Sequence, residues 1–340
     1  MRTKHESKSP LTGEDDLLTR IRNGLRPSQR SSSRLPLAIG DDAAIVRPRP
    51  GYELILTCDW FLQGVHFQLE RDPPDSVGWK SLARAASDLA AMGAEPLCFL
   101  LGLALPATLT REWLKVFLKG SRRASEKLNC PAAGGDTTRC DQVLISVTVI
   151  GECPPGQAVL RSGARPGDAV FVSGRLGEAE YGLRLMQSSK RQLDARDPRL
   201  LKHLYPQARL ALGAWLAKQG LATAMMDLSD GLSIDLPRLC QASRVGACIE
   251  AKRIPIPKLS GLEAKKHQAL ELACDGGDDY ELLFTVSPGN VGKVPRQIAA
   301  VPVTKIGEIV EHRKILLDGG DGRARDLRQF GWDPFRTRQR

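Results

Sequence analysis

Blocks of apolar residues alternate with polar segments along the chain, and their spacing predicts alternating strands and helices. In the first half, short apolar runs predict strands at 52–58, 97–105 and 143–150. Apolar residues at helical spacing predict helices at 17–25, 76–92 and 110–128, the last with Thr110 as its N-cap. Alternation of strands and helices is typical of the α/β class.

The pattern restarts after a segment rich in proline and glycine near 151–167. The second half then predicts strands at 169–173, 247–250, 282–286 and 304–309, and helices at 178–187 and 209–219. A chain of 340 residues is also longer than one hydrophobic core usually serves. We therefore expect two α/β domains, at 14–150 and 151–340, behind a disordered tail at 1–13.

Composition and charge narrow the possible classes of function. Apolar residues make up 42% of the chain, as in ordinary globular proteins, and no apolar run approaches the roughly 20 residues that span a bilayer. The net charge of +10 favours an anionic partner, but the basic residues are dispersed and are not interleaved with aromatic ones. The eight cysteines form no C-x-x-C pair, which argues against a zinc site or a disulfide framework. We expect a cytoplasmic protein that binds neither nucleic acid nor membrane.

Five short segments combine aspartate with glycine, serine or threonine at the ends of apolar runs. They lie at 40–42, 57–59, 87–88, 134–138 and 227–231. Carboxylate oxygens are ligands that Mg²⁺ prefers, and carboxylates that converge repel one another unless cations lie between them. The alternative is that these segments are turns and helix caps, which Asp-Gly pairs commonly form. Taken alone, the segment at 40–42 favours a turn.

The chain has neither the Walker A sequence nor the H-R-D and D-F-G sequences of protein kinases. A phosphate-handling protein without these devices has to neutralise a triphosphate in another way. Several magnesium ions held by aspartate side chains would serve this purpose.

Eight motifs, in order from about residue 14 to the end, resemble those of the thiamine-monophosphate kinase family. In the first half they are GDDAA at 40–44, TCD at 57–59 with GVHF at 64–67, SDLAAMGA at 87–94, and GGDTTR at 134–139. In the second half they are RSGA at 161–164 with PGD at 166–168, DLSDGL at 227–232, GGDDYEL at 276–282, and GWDPF at 331–335. Each motif is weak alone, but their shared order and spacing are specific.

The resemblance implies a fold shared with aminoimidazole-ribonucleotide synthetase, in which two amino-terminal domains form a barrel-like dimer core beside a second α/β domain. It also implies a reaction in which ATP and thiamine monophosphate give ADP and thiamine diphosphate, with ATP as co-substrate and several Mg²⁺ ions per site. The implied magnesium ligands are Asp42, Thr57, Asp59, Asp88, Asp136, Asp227 and Asp230. The implied ATP contacts are Gly135, Asp136, Arg161 and Ser229. The implied contacts to thiamine monophosphate are His66, Asp278 and Trp332.

Two residues depart from the family pattern. Cys58 stands where the family often has threonine or serine, and a neutral thiol is a poor magnesium ligand. Asp278 replaces the more usual glutamate and shortens that carboxylate by one methylene. We expect these changes to affect substrate affinity rather than the type of reaction.

The acceptor phosphate is already largely a dianion, so we expect direct phosphoryl transfer with no catalytic side chain that forms a covalent intermediate. The alternative to direct transfer is that His66 carries the phosphate as a phosphohistidine. The alternative to a substrate contact by Trp332 is that this residue belongs to the ordinary core. The alternative to an enzyme is a non-catalytic nucleotide sensor that retains the metal cluster.

Overall fold

The computed structural model describes residues 13–25, 33–189, 193–259, 266–320 and 324–327. They belong to two compact units, which we call unit 1 (Met1–Leu89 with Glu95–Pro155) and unit 2 (Ala90–Ala94 with Gly156–Arg340). Both units combine helices with a β-sheet, so the predicted α/β class with two domains is confirmed. The domain bounds at 14, 151 and 340 stay predictions.

The residues of unit 1 that the structure describes form four strands and three helices. In chain order they are α1 (Glu14–Gly24), β1 (Glu53–Leu62), α2 (Pro74–Ala91), β2 (Glu95–Leu105), α3 (Arg111–Leu128), β3 (Ala132–Arg139) and β4 (Leu144–Cys153). The sheet order is β1-β4-β2-β3, with β2 and β3 parallel and the other pairs antiparallel. Because β1 and β3 are edge strands, the described part of one chain forms an open sheet rather than a closed barrel.

One face of this sheet is buried. Along β4, Ile145, Val147 and Val149 are buried while their neighbours are half-exposed, which is the alternation of a strand with one face on the core. Glycines let the two long helices cross closely, because a Cβ at Gly78 would lie 2.1 Å from the Phe117 carbonyl oxygen. The predicted cap at the start of α3 is confirmed by the N–H of Trp113, which donates to the hydroxyl of Thr110.

Unit 2 has eight strands and five α-helices among its described residues. They are β5 (Ala169–Ser173), α4 (Glu178–Ser188), α5 (Leu201–Leu204), α6 (Leu210–Lys218), β6 (Ala222–Leu228), α7 (Leu232–Ser243), β7 (Gly246–Glu250), α8 (Lys266–Asp275), β8 (Glu281–Val286), β9 (Gln297–Ile298), β10 (Val301–Val310), β11 (Ile315–Asp318) and β12 (Ala324–Asp326). The sheet order is β12-β11-β7-β10-β5-β8-β6, and β9 pairs with β10. These pairs are antiparallel except β11 with β7.

Neighbouring residues of the central strands enter different apolar cores. Val170 and Val172 of β5 belong to one cluster, whereas Phe171 between them belongs to another. Met225 and Met226 of β6 divide between the two clusters in the same way. The sheet is therefore the middle layer of unit 2, covered on both faces.

The predicted elements within the described residues match observed ones to within a few residues. The sequence-based elements did not include five observed strands and three observed helices, namely β3, β6, β9, β11, β12, α5, α7 and α8. No helix of the described residues has the length and apolar character needed to cross a membrane.

Candidate active site

Three of the predicted magnesium ligands meet where β1 faces α2. Thr57 and Asp59 are two residues apart on β1 and therefore lie on the same face of the strand. The hydroxyl of Thr57 donates a hydrogen bond to Asp88 Oδ2 of α2. One turn earlier on α2, Arg84 Nε lies 3.2 Å from Asp59 Oδ2 and donates to it. We call Thr57, Asp59 and Asp88 the β1 acidic group.

Asp136 lies at the other edge of the same sheet. The register aligns Asp59 with Val147 of β4, Val147 with Leu101 of β2, and Leu101 with Gly135 of β3. Three strand spacings of about 4.8 Å separate these edges, so Asp136 is roughly 14 Å along the sheet from the β1 acidic group. One chain therefore does not bring Asp136 to the β1 acidic group.

The backbone of β3 at the predicted ATP contact is tightly placed. A Cβ at Gly135 would lie 1.9 Å from the carbonyl oxygen of Leu101, so β3 approaches β2 too closely for a side chain there. Asp136 is exposed, and its Oδ1 accepts a hydrogen bond from the N–H of Thr137 at 2.8 Å.

Asp42 is exposed in a loop on the β2–β3 side of unit 1. Its N–H donates to Asp41 Oδ1 at 2.9 Å, as expected of a local turn. Ala38 and Ala44, on either side of the loop, pack against a cluster that includes Cys98 of β2 and Ala133 of β3. Asp42 therefore has both the turn geometry that its sequence favours and an exposed carboxylate.

His66 follows β1 in a turn that fixes its ring. Its Nδ1 accepts a hydrogen bond from the N–H of Leu62 at 3.0 Å, and its ring lies 5.7 Å from that of Phe61. Because Nδ1 is the acceptor, the proton of the neutral ring is on Nε2. The hydrogen bond from Leu62, the last residue of β1, thus orients the His66 ring. Thr57 and Asp59 lie on the same strand, a few residues earlier.

Cys58 points away from the β1 acidic group. Strand alternation places its side chain on the opposite face from Thr57 and Asp59, and its Sγ lies 3.5 Å from Ser146 Oγ. The first departure from the family pattern therefore does not alter this group within one chain.

In unit 2, the segment at 227–231 leaves the end of β6. Asp227 is buried, and Ser229 and Asp230 are half-buried. Asp235 of α7 shapes this segment, because its Oδ2 accepts hydrogen bonds from the N–H groups of Ser229, Asp230 and Gly231 at 3.0, 2.9 and 3.1 Å. Arg238, one turn further along α7, donates to Asp235 Oδ1 at 2.9 Å and also to Asp230 Oδ2.

Burial raises the pKa of Asp235 to about 6, and the charge of Asp230 adds to the rise. The N–H groups that donate to its carboxylate and the charge of Arg238 oppose it. Both oxygens of Asp235 accept hydrogen bonds, as those of an ionised carboxylate do.

The segment at 276–280 lies against the segment at 227–231. The N–H of Asp278 donates to the Ser229 carbonyl at 2.8 Å, and the N–H of Tyr280 donates to the Leu228 carbonyl at 2.9 Å. Asp278 and Tyr280 have φ of 68° and 50°, and the Tyr280 hydroxyl donates to Asp278 Oδ1 at 2.8 Å. The second departure, Asp278, is thus held directly beside the predicted ATP contact Ser229.

Arg161 belongs to the same part of unit 2. The carbonyl of Leu160 accepts a hydrogen bond from the N–H of Met225, two residues before Asp227 on β6. Ser243, at the end of α7, donates to the Arg161 carbonyl at 3.1 Å and accepts from the N–H of Gly163 at 3.2 Å. Arg161 is therefore an exposed residue whose backbone lies beside β6.

Reasoning from the sequence missed Asp235, Arg238 and Arg84. The sequence did contain a signal for Asp235, which lies four residues after Gly231. Side chains in a helix point back toward its N-terminus, so a carboxylate at that spacing can reach the segment before the helix. Trp332 lies outside the described residues. Within the described part of one chain, no three His, Cys, Asp or Glu side chains are grouped closely enough to hold a metal ion.

The side-chain oxygens at the predicted ligand positions are nevertheless of the chemical types that bind Mg²⁺. The β1 acidic group offers a hydroxyl and two carboxylates, and the segment at 227–231 offers two carboxylates and a serine. Mg²⁺ prefers such oxygen ligands and is commonly bound through one or two carboxylates together with water and substrate phosphates.

Models of two domain families match this architecture. The AIR synthase related protein N-terminal domain matches residues 40–153, and the corresponding C-terminal domain matches residues 165–318. Together they cover most of the chain and define an AIR synthase-related protein.

Comparison with curated relatives narrows the family within the AIR synthase-related proteins. Thiamine-monophosphate kinase of Escherichia coli K12 is 35% identical over 329 residues, which are 96% of this chain and 99% of the relative. The same enzyme of Bacillus subtilis is 34% identical and covers 86% of this chain and 91% of the relative.

Solved structures agree with the curated relatives. Thiamine-monophosphate kinase from Stenotrophomonas maltophilia has a TM-score of 0.78 at 35% identity and covers 92% of this chain and 98% of that one. A structure described as AaThiL complexed with AMPPCP and TMP has a TM-score of 0.72 at 32% identity and covers 98% of each chain. The chain belongs to the thiamine-monophosphate kinase family. Similarity to Escherichia coli HypE, at 18% identity, shows the fold alone.

Proposed function

We propose that this chain is an ATP-dependent phosphotransferase that converts thiamine monophosphate into thiamine diphosphate, with ADP as the other product. Its relatives carry this activity in their names, and one related structure holds AMPPCP and TMP together. The structural observation that carries the proposal lies in unit 2. Hydrogen bonds hold the acceptor-side candidate Asp278 beside the ATP-side candidate Ser229, so contacts for the two reactants are neighbours.

Direct transfer needs no general base here. The acceptor is a phosphate monoester whose second pKa is about 6, so it is already largely a dianion near neutral pH. The obstacle is the repulsion between this dianion and the triphosphate. A site that works by charge compensation and positioning removes that obstacle without a covalent intermediate.

We assign the magnesium ligands to Asp42, Thr57, Asp59, Asp88, Asp136, Asp227 and Asp230. Bound magnesium would compensate phosphate charge and orient the phosphates. Arg84 lies against Asp59 and Arg238 against Asp230, so these carboxylates have cationic partners. Metal binding would compete with those two ion pairs.

We assign ATP contacts to Gly135, Asp136, Arg161 and Ser229. Arg161 can share negative charge of the triphosphate through its planar guanidinium. We assign thiamine monophosphate contacts to His66, Asp278 and Trp332. Asp278 is oriented by the Tyr280 hydroxyl, which suits a carboxylate that pairs with a positive or amino group of the substrate.

We also propose a homodimer that joins the sheets of two copies of unit 1. The outward face of β1 exposes Leu54, Leu56 and Trp60 by 44%, 63% and 57%, which is a concentration of apolar surface on an edge strand. A second copy that covers this face would explain it. We further propose that Asp136 of the second copy completes the β1 acidic group of the first, since the two lie at opposite edges of the sheet within one chain.

Steady-state assays with purified protein test the reaction. With Mg²⁺ and ATP, we expect ADP formation that depends on thiamine monophosphate and yields thiamine diphosphate in equal amount. Other acceptors with phosphate, carboxylate or amide groups serve as controls. Turnover only with a carboxylate or amide acceptor would reject the kinase, and nucleotide binding without any turnover would favour the sensor.

A further inference from the structure

We propose that Asp235 is the positioning residue that gives the segment at 227–231 its ligand-binding shape. Three consecutive N–H groups, those of Ser229, Asp230 and Gly231, converge on its Oδ2 within 3.1 Å. Asp235 itself is completely buried, so this carboxylate acts on a ligand only through the segment that it holds. The inference rests on the proposed function of that segment.

This arrangement is more than an ordinary helix cap. The residue before α7 is Gly231, which has no capping side chain, and α7 starts with the N–H groups of Ile234 and Asp235 bonded to its carbonyl. Asp235 comes from within the helix and reaches back to the segment before it. The positive end of the helix dipole favours a carboxylate at this position.

Converging backbone N–H groups at the start of a helix usually form a site for an anion such as phosphate. Here the carboxylate of Asp235 already fills that position. These three N–H groups are therefore not free to bind phosphate, and we infer that the segment contacts a ligand through the side chains of Asp227, Ser229 and Asp230. Carboxylate and hydroxyl side chains bind metal ions, whereas backbone N–H groups bind phosphate directly. The segment is therefore suited to bind a nucleotide through metal ions.

Asp235 also acts on Asp230 through a second connection. Its Oδ1 accepts from Arg238, and the same guanidinium nitrogen donates to Asp230 Oδ2. Asp235 thus fixes the backbone of Asp230 with one oxygen and the cation beside its carboxylate with the other. Loss of Asp235 would free both.

Two substitutions separate these connections. Asp235→Asn keeps one oxygen that can accept the three N–H groups but loses the negative charge that faces Arg238. Asp235→Ala removes every acceptor. Because residues that orient metal ligands typically contribute 10–100-fold to metal affinity, we expect Asp235→Ala to weaken binding of Mg-AMPPCP by about 10–100-fold and Asp235→Asn by less.

The measurement is titration calorimetry of Mg-AMPPCP, together with the Mg²⁺ concentration that gives half-maximal activity. Asp168→Asn is the matched control, because Asp168 is 2% exposed and accepts from the N–H of Arg165 at 3.0 Å and the hydroxyl of Thr223 at 2.7 Å. We expect the control to lower the melting temperature while the affinity for Mg-AMPPCP and the Mg²⁺ dependence stay at wild-type values.

The outcomes separate the two proposals. If wild type phosphorylates thiamine monophosphate but both Asp235 variants bind Mg-AMPPCP with wild-type affinity, the positioning role is wrong and the proposed function stands. If the variants lose thermal stability alone, as the control does, Asp235 is structural only. Absence of activity in wild type itself would instead overturn the proposed function.

Discussion

At the scale of single residues, Glu281 shows how unit 2 tolerates a buried charge. Its side chain has no exposed surface and accepts hydrogen bonds from Ser173 at 2.6 Å, Lys202 at 3.0 Å and Arg209 Nε at 2.7 Å. Burial alone would raise the pKa of Glu281, but the hydrogen bond from Arg209 and the charges of Lys202 and Arg209 outweigh it and lower the pKa below the usual 4.5. These partners anchor the start of β8, directly after Asp278 and Tyr280.

We expect Glu281→Gln to lower the free energy of unfolding by about 3 kcal/mol at neutral pH, because it leaves two cations without their buried counter-charge. A carboxylate whose pKa is lowered by folding stabilises the fold at every pH above its pKa in the unfolded chain. This stabilisation is lost as the pH falls through the pKa in the folded protein. The difference between wild type and variant should therefore be full at neutral pH and shrink below pH 4.5. Urea unfolding between pH 7 and 3 measures it.

Asp194→Asn is the control for this prediction, because Asp194 pairs with Arg196 on an exposed surface. We expect little change in its unfolding midpoint at any pH. A Glu281→Gln difference that stayed constant down to pH 3 would contradict the assigned ionisation.

At the scale of elements, residue propensity and hydrophobic periodicity predicted the strands and helices that have a clear periodic pattern. They failed for elements whose conformation is set by tertiary contacts. The glycines of β3 disfavour a strand, yet β3 pairs in parallel with β2 from Gly134 to Arg139. Alanine and methionine in β6 favour a helix, but Met225 and Met226 fill cores on opposite faces of the sheet. Pro237 disfavours a helix interior, yet it lies within α7, which starts at Leu232.

The crossing of α2 and α3 gives a prediction for these elements. A Cβ at Gly120 of α3 would lie 1.9 Å from the Asp75 carbonyl oxygen of α2, and neither backbone can yield cheaply. We expect Gly120→Ala to destabilise the protein by about 1–3 kcal/mol, the usual cost of overpacking. Gly289→Ala is the control, since nothing lies within 4 Å of its added Cβ. Equal melting temperatures for the two variants would show that the helices separate easily.

At the scale of the whole molecule, the edge positions of Asp59 and Asp136 make the proposed dimer testable by complementation. Asp59→Asn and Asp136→Asn should each be nearly inactive. If each site takes Asp59 from one copy and Asp136 from the other, a heterodimer of the two variants has one intact site. Unfolding and refolding the variants together should then restore about a quarter of wild-type activity in a statistical mixture of symmetric dimers.

The control is each variant refolded alone, which should stay inactive. If both residues serve one site from the same chain, every site in the mixture carries one substitution and no activity returns. Light scattering on the same samples reports whether the two copies associate.

The sequence by itself determined the α/β class, most strands and helices, and the family, because hydrophobic periodicity is local and the motifs keep their order along the chain. It also singled out the residues that we assign to the site. Only the tertiary structure decided that Asp59 and Asp136 occupy opposite edges of one sheet and that Asp235 holds the segment at 227–231. These facts depend on strand order, register and helix position, which are set by contacts between residues far apart in the chain.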